Sequence, residues 1–92
     1  MIKNFAHKGL EKFYTTGSKA GIQAIHAERL TLILALLNRA KQIQDMDAPS
    51  LYLHPLKGKR AGCWAVTVQA NWRVVFRFED GDATVVDYLD YH

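Results

Sequence analysis

The sequence contains a single cysteine, Cys63, which excludes a framework of internal disulfide bonds. The position of Cys63 in an apolar stretch favours a reduced and structurally inert thiol. The longest nearly apolar run, residues 30–37, is too short to span a bilayer, and no signal peptide is visible. We therefore expect a cytoplasmic protein.

Motifs of several enzyme classes are also missing. The four histidines are scattered without the spacing of metal ligands, and Cys63 has no Cys or His at a paired interval. Neither Ser18 nor Ser50 lies in a nucleophile elbow, and no phosphate-binding loop is present. The sequence therefore predicts no metal site and no cofactor.

The composition is that of an ordinary folded domain. Apolar residues make up 49% of the 92 residues and charged residues 23%, and the chain is too short to divide into two independent cores. We expect one domain over residues 1–92. A net charge of +3 favours polyanionic partners such as nucleic acid but does not identify one.

The first half of the chain predicts two helices. A short helix over residues 8–14 groups its apolar residues on one side, and a longer one over 22–41 repeats them every three or four positions. Residues 2–5 could add a short edge strand. The apolar arc of the longer helix is wider than one contact with a sheet requires. Either the first helix or a loop covers the excess, or a partner protein docks there.

The second half changes to the alternating period of strands. Trp72, Val74 and Phe76 form an apolar face, whereas Arg73 and Arg77 point to the other side. An Asp-Gly pair in residues 79–82 indicates a tight hairpin. The predicted strands span residues 63–68, 72–78 and 83–89, with a turn at 69–71. The fold class is α+β, in which two N-terminal helices pack on an antiparallel, mainly meander sheet and leave its arginine face open.

The polar residues suit acid-base catalysis in which nearby cations stabilise an anion. Cleaving RNA through its own 2′-hydroxyl needs a base, an acid and cations that hold the charge of the phosphorane. Imidazoles suit proton transfer, and Lys and Arg suit the anion. Each residue alone also fits an ordinary loop, turn, wet strand or chain end, so the hypothesis depends on their coinciding on one face. The residues that would supply these parts are His54, Lys57, Arg73, Asp90 and His92.

Several ordered motifs together resemble one known family. They are LHPLKG at residues 53–58, the strand that contains Trp64, NWR at 71–73, FEDGDA at 78–83 and the closing DYH. With the opening KNFAHKGLEKFYTTG at 3–17, they make the whole chain similar to the HigB toxins of bacterial toxin-antitoxin systems, a branch of the RelE superfamily.

The resemblance implies a microbial ribonuclease-like, RelE-type fold and a ribosome-dependent endoribonuclease. Such toxins cut messenger RNA in the A site by metal-free attack of the 2′-hydroxyl and thereby inhibit translation. It also implies a HigA-type helix-turn-helix antitoxin. The toxin would bind operator DNA only in a complex with this antitoxin. The family's active-site positions fall on His54, Lys57, Asn71, Arg73, Asp90, Tyr91 and His92.

The individual roles stay open at this point. Either Asp90 or His54 would take the 2′-proton, and either His92 or His54 would protonate the leaving oxygen. Lys57 and Arg73 would hold the phosphate, and Tyr91 would stack on a displaced base.

Two further cations and an alternative function also follow from the sequence. Lys59 and Arg60 would contact ribosomal RNA. The alternative is a non-catalytic basic module that binds RNA or protein through the same face and acts with an antitoxin as a repressor subunit.

Overall fold

A four-stranded antiparallel sheet dominates the computed structural model, which describes residues 1–90. Its strands are neighbours in chain order, so the sheet is the predicted meander. Two α-helices pack on one face, and the α+β plan is confirmed. The strands are β1 (His54–Pro55), β2 (Cys63–Gln69), β3 (Trp72–Glu79) and β4 (Asp82–Asp90), and the helices are α1 (Lys8–Thr16) and α2 (Ala27–Arg39).

The β3–β4 hairpin forms where the Asp-Gly pair predicts it. Asp80 and Gly81 have φ angles of 52° and 80°, the left-handed pair of a type I′ turn, whose twist matches that of the flanking strands. Strand β1 is an addition to the prediction, which left His54 in a loop. His54 pairs with Ala65 and Pro55 with Trp64, so a second short edge element extends the sheet.

Helix α1 is capped by the residues that flank it, His7 at the N-terminus and Gly17 at the C-terminus. The backbone N–H of Leu10 donates to Nδ1 of His7 at 2.9 Å, which satisfies one of the free N–H groups of the first turn. At the other end Gly17 has φ 82°, and its N–H donates to the carbonyl of Phe13 at 2.9 Å. These caps extend the helix two residues beyond the predicted 8–14.

Helix α2 is shorter than the predicted 22–41. It begins at Ala27, after a single 3₁₀ turn (Ala24–His26), and it ends at Arg39. The early start is wrong because Gln23 is extended, with φ −74° and ψ 121°. The chain before it runs so close to α1 that a Cβ on Gly21 would lie 2.5 Å from the Cα of Gly9.

The main core lies between the helices and the sheet face of Val66, Val74 and Phe76. Leu36 and Ile43, outside the regular stripe of α2, are partly buried against this core, whereas Leu32 remains 47% exposed. A loop that contains two further 3₁₀ turns, Ile43–Met46 and Pro49–Leu51, replaces the predicted polar link at 45–50. Its Met46 and Leu51 are fully buried.

The N-terminal residues lie along β4 without forming the predicted strand over 2–5. They make only two isolated parallel bridges, Ile2 with Ala83 and Phe5 with Val86. Between them the side chain of Asn4 accepts a hydrogen bond from the N–H of Val85 at 2.6 Å, which interrupts a regular ladder. The segment still covers the free edge of β4, an edge that would otherwise offer unpaired backbone groups.

The second sheet face is less open than predicted. Leu56, which follows β1, packs with Ala65 and Val75 in a small cluster in which each side chain is at most 8% exposed. Alternation alone could not show this, because the covering residue comes from outside the strands. Within residues 1–90, no helix has both the length and the apolar character to cross a membrane.

The contact between Gly9 and Gly21 yields a test in which helix propensity and packing predict opposite signs. A Cβ at Gly9 would lie 2.6 Å from the carbonyl oxygen of Gly21. Replacing glycine by alanine within a helix usually gains about 1 kcal/mol. We expect Gly9→Ala instead to lower the free energy of unfolding by about 1–2 kcal/mol, because overpacking outweighs that gain.

Urea unfolding measures this difference. Lys12→Ala, on the exposed side of the same helix, is the control and should change stability by less than about 0.5 kcal/mol. A more stable Gly9→Ala protein would show that α1 does not touch the chain at Gly21.

Candidate active site

The strand register collects candidate residues on the sheet face that points away from the helices. One row runs across all four strands, from His54 through Ala65 and Val75 to Asp87. In the next row Arg73 lies between Thr67 and Leu89. Because paired residues share a face, His54 and Arg73 lie on the same surface, two strands and one row apart, which places their Cα atoms about 12 Å from each other. We call this surface the open face.

His54 is held in one tautomer by the backbone beside it. Its Nδ1 lies 2.9 Å from the carbonyl oxygen of Tyr52. A carbonyl only accepts, so Nδ1 carries the proton and the neutral ring presents the lone pair of Nε2. Tyr52 has φ 51°, an unfavourable angle for a residue other than glycine, and its ring is 69% exposed. The structure thus prepares His54 to accept a proton through Nε2.

Arg73 is fixed at the β2–β3 turn. Its Nη1 donates to the carbonyl of Ala70 at 2.6 Å and to that of Trp72 at 3.1 Å. Within residues 1–90 its other N–H groups have no hydrogen-bond partner, so they are available to an anion. Asn71, at the tip of the same turn, is exposed.

A cationic loop borders the open face. Lys57 immediately precedes a 3₁₀ turn (Gly58–Arg60), and Lys57, Lys59 and Arg60 are all exposed. Arg77 joins them, because its Nη1 would lie only 3.2 Å from a Cβ at Gly62. None of these four cations forms an ion pair within the described residues. The sequence placed Arg77 on the open side of the sheet without a role in cleavage, and its approach to Gly62 adds it to the loop.

The end of β4 lies beside Arg73 but presents a different face. Asp90 is the partner of Trp72, and Leu89 is the partner of Arg73. Alternation therefore directs the side chain of Asp90 to the helix side of the sheet, opposite to Arg73. Tyr91 and His92 lie outside the described residues.

An imidazole lone pair, a guanidinium with free donors and a cationic loop together suit proton transfer next to a phosphodiester. Negative charge that develops on a phosphate would be held by Arg73 and the loop. Within residues 1–90, no group of three or more His, Cys, Asp or Glu side chains could hold a metal ion.

A buried polar network behind this face was missed in the sequence. His26 is 3% exposed, and its Nδ1 lies 2.6 Å from the hydroxyl of Tyr88. Its Nε2 lies 2.9 Å from Oε1 of Gln69. The signal was present, since His26 precedes Leu30 by four residues and so lies on the buried stripe of α2.

Comparisons with known proteins find relatives of this chain in both sequence and structure. The model of the family described as "RelE-like toxin of type II toxin-antitoxin system HigB" matches residues 3–92. The chain is 42% identical to the Endoribonuclease HigB of Proteus vulgaris over 92 residues, which is the full length of both. A crystal structure of a YafQ mutant from E. coli superimposes with a TM-score of 0.64, covering 96% of this chain and 89% of the other at 16% identity. At that identity the YafQ match supports the fold alone.

Burial of the Tyr88 hydroxyl makes the stability of the protein depend on pH in the alkaline range. Burial raises the pKa of the Tyr88 hydroxyl above its ordinary value of 10.0. The folded protein therefore binds this proton more strongly than the unfolded chain does. The corresponding stability is complete below about pH 10 and is lost as pH rises through the folded pKa.

Urea unfolding between pH 8 and pH 11 measures this loss. Tyr88→Phe should be less stable at pH 8 and should have a shallower alkaline decline than wild type. Tyr14→Phe, on an exposed ring, should retain the Tyr88 contribution. An alkaline decline of equal slope in Tyr88→Phe would contradict the assignment to this hydroxyl.

Proposed function

Because the chain belongs to the RelE-like HigB toxin family of type II toxin-antitoxin systems and is an endoribonuclease, we propose that it cuts messenger RNA in the ribosomal A site and thereby inhibits translation. Cleavage proceeds by attack of the RNA's own 2′-hydroxyl on the adjacent phosphate and leaves a 2′,3′-cyclic phosphate. The observation that carries this proposal is the lone pair of His54 Nε2 on the same face as the donors of Arg73.

His54 is the general base of this reaction. Its Nδ1–H is anchored to the carbonyl of Tyr52, so Nε2 can take the proton of the 2′-hydroxyl without a change of tautomer. Asp90, the other candidate base, belongs to the opposite face by register, whereas His54 shares the face of Arg73, which favours His54. His92 then protonates the leaving 5′-oxygen, and Tyr91 stacks on a base displaced from the message.

The cations divide between chemistry and binding. Arg73 and Lys57 hold the scissile phosphate and stabilise the charge that builds on it. Asn71, at the tip of the β2–β3 turn, contacts the substrate beside them. Lys59 and Arg60, with Arg77, contact RNA backbone of the ribosome and make affinity depend on salt.

The partners follow from the family. A toxin of a type II system is bound by an antitoxin, and an endoribonuclease acts on RNA. The antitoxin here is a helix-turn-helix protein of the HigA kind, and the toxin reaches operator DNA only in complex with it. The toxin acts as a single domain in the cytoplasm, where the ribosomes are. The described residues extend 29 × 28 × 25 Å, a small body for entry into a ribosomal site.

The reaction is tested with a messenger RNA positioned on ribosomes. The purified protein should cut this RNA at the A-site codon and should leave the same RNA intact when ribosomes are omitted. A matched RNA with a single 2′-deoxy nucleotide at the scissile position should resist cleavage, because it has no attacking hydroxyl.

The product ends supply an independent check. A cyclic phosphate, or the 3′-phosphate that forms from it, is expected on the upstream fragment. Cleavage of the deoxy RNA at an unchanged rate would contradict the mechanism, and equal cleavage of free RNA would contradict ribosome dependence. Binding without any cleavage, by a folded protein, would favour the non-catalytic module.

The phosphate contacts are tested by removing one cation at a time. Arg73→Ala and Lys57→Ala should each lower the single-turnover cleavage rate by about 100-fold or more, as loss of one donor to a developing anion does. Arg39→Ala removes the same charge from the exposed end of α2 and should leave the rate within about twofold of wild type. Wild-type cleavage by either Arg73→Ala or Lys57→Ala would show that this residue does not hold the phosphate.

A further inference from the structure

The helix layer reaches the β2–β3 turn through one buried side chain. His26, which immediately precedes α2, contacts both residues that flank this turn. Its Nε2 lies 2.9 Å from Oε1 of Gln69, the last residue of β2. Its ring packs edge-on against Trp72, the first residue of β3, with centroids 5.5 Å apart. His26 therefore contacts the β2–β3 turn at both of its ends.

The hydrogen bonds of His26 have one direction. Oε1 of Gln69 only accepts, so Nε2 carries the proton and Nδ1 accepts from the hydroxyl of Tyr88 at 2.6 Å. The same hydroxyl accepts from the backbone N–H of Gln23 at 3.3 Å. Tyr88 also stacks on Trp72, with centroids 4.6 Å apart. Every polar atom of the imidazole is therefore used in holding its neighbours.

The β2–β3 turn, which His26 contacts, also positions Arg73. Nη1 of Arg73 donates to the carbonyls of Ala70 and Trp72, so the path of the turn backbone decides where the guanidinium lies. Ala70 has φ 49°, a conformation that a residue other than glycine adopts only when its surroundings impose it. Ala70 lies between two contacts with the imidazole of His26. Gln69, before it, forms a hydrogen bond to the ring, and Trp72, after it, packs against the ring.

We propose that His26 is a positioning residue for the cleavage reaction, which fixes the β2–β3 turn and thereby aims the guanidinium of Arg73 at the substrate phosphate. The inference depends on the role proposed for Arg73, but its structural part concerns Arg73 alone and can be tested without RNA. His26 does not touch the substrate, because it is buried on the opposite side of the sheet.

Two amide substitutions separate the two bonds of the imidazole. In His26→Gln the longer side chain can place an N–H near the position of Nε2 and keep the bond to Gln69. In His26→Asn the shorter amide can reach the hydroxyl of Tyr88 but not Gln69. We expect His26→Asn to cleave about tenfold more slowly at saturating ribosomes, with His26→Gln within about threefold of wild type, since one hydrogen bond is at stake.

A double-mutant cycle identifies the route of the effect. If His26 acts through Arg73, then His26→Asn should change the residual rate of Arg73→Ala by less than about twofold. A tenfold loss in the Arg73→Ala background would overturn the proposal, because His26 would then act independently of the guanidinium. Equal losses in His26→Asn and His26→Gln would also overturn it, since general damage to the core makes no distinction between the two bonds. All rates are compared at a temperature at which unfolding curves show each variant to be folded.

The position of Arg73 is measured directly in the ¹H–¹⁵N spectrum. The Nε–H signal of Arg73, assigned by its loss in Arg73→Ala, should shift or broaden in His26→Asn and return towards its wild-type position in His26→Gln. An unchanged signal in His26→Asn would overturn the positioning proposal whatever Arg73 does in cleavage. A displaced signal together with full activity of Arg73→Ala would instead refute the phosphate contact and leave the structural link supported.

Discussion

Strand β3 sets the constraint on which the other parts of the structure depend. It is hydrogen-bonded to β2 on one side and β4 on the other, so neither its register nor its alternation can change alone. Val74 and Phe76 consequently face the helices, while Arg73 and Arg77 face away from them. A slip by one residue would bury both arginines and expose the core residues, a change that no local adjustment offsets. The hydrophobic core and the cationic surface are thus two results of one register.

The functional surface is held by strained backbone as well as by the sheet. Tyr52 and Ala70 both have left-handed φ angles, and each offers its carbonyl to a candidate side chain, His54 or Arg73. Such conformations cost about 1 kcal/mol or more each and persist only where surrounding contacts impose them. Both carbonyls accept hydrogen bonds from side chains that we propose act on RNA. The two strained residues therefore lie next to the proposed catalytic groups.

The sequence predicted those features that depend on local pattern. The Asp-Gly hairpin and the alternation of β3 each rest on a few adjacent residues, and each is present. The late start of α2 and the cover that Leu56 gives the open face arise from contacts between distant segments, which periodicity does not encode. His54 was recognised as a candidate, but its tautomer depends on a backbone carbonyl that no motif shows.

The structural comparison separates the fold from the chemistry. A TM-score of 0.64 at 16% identity shows that this arrangement of helices and strands tolerates replacement of most side chains. The chemistry therefore depends on the side chains that a given sequence places on this fold. Strand β1 makes only two residue pairs with β2, a weak support for the residue that we propose as the general base. The bond from His54 Nδ1 to Tyr52 supplies the missing constraint, because it orients the ring independently of the length of the strand.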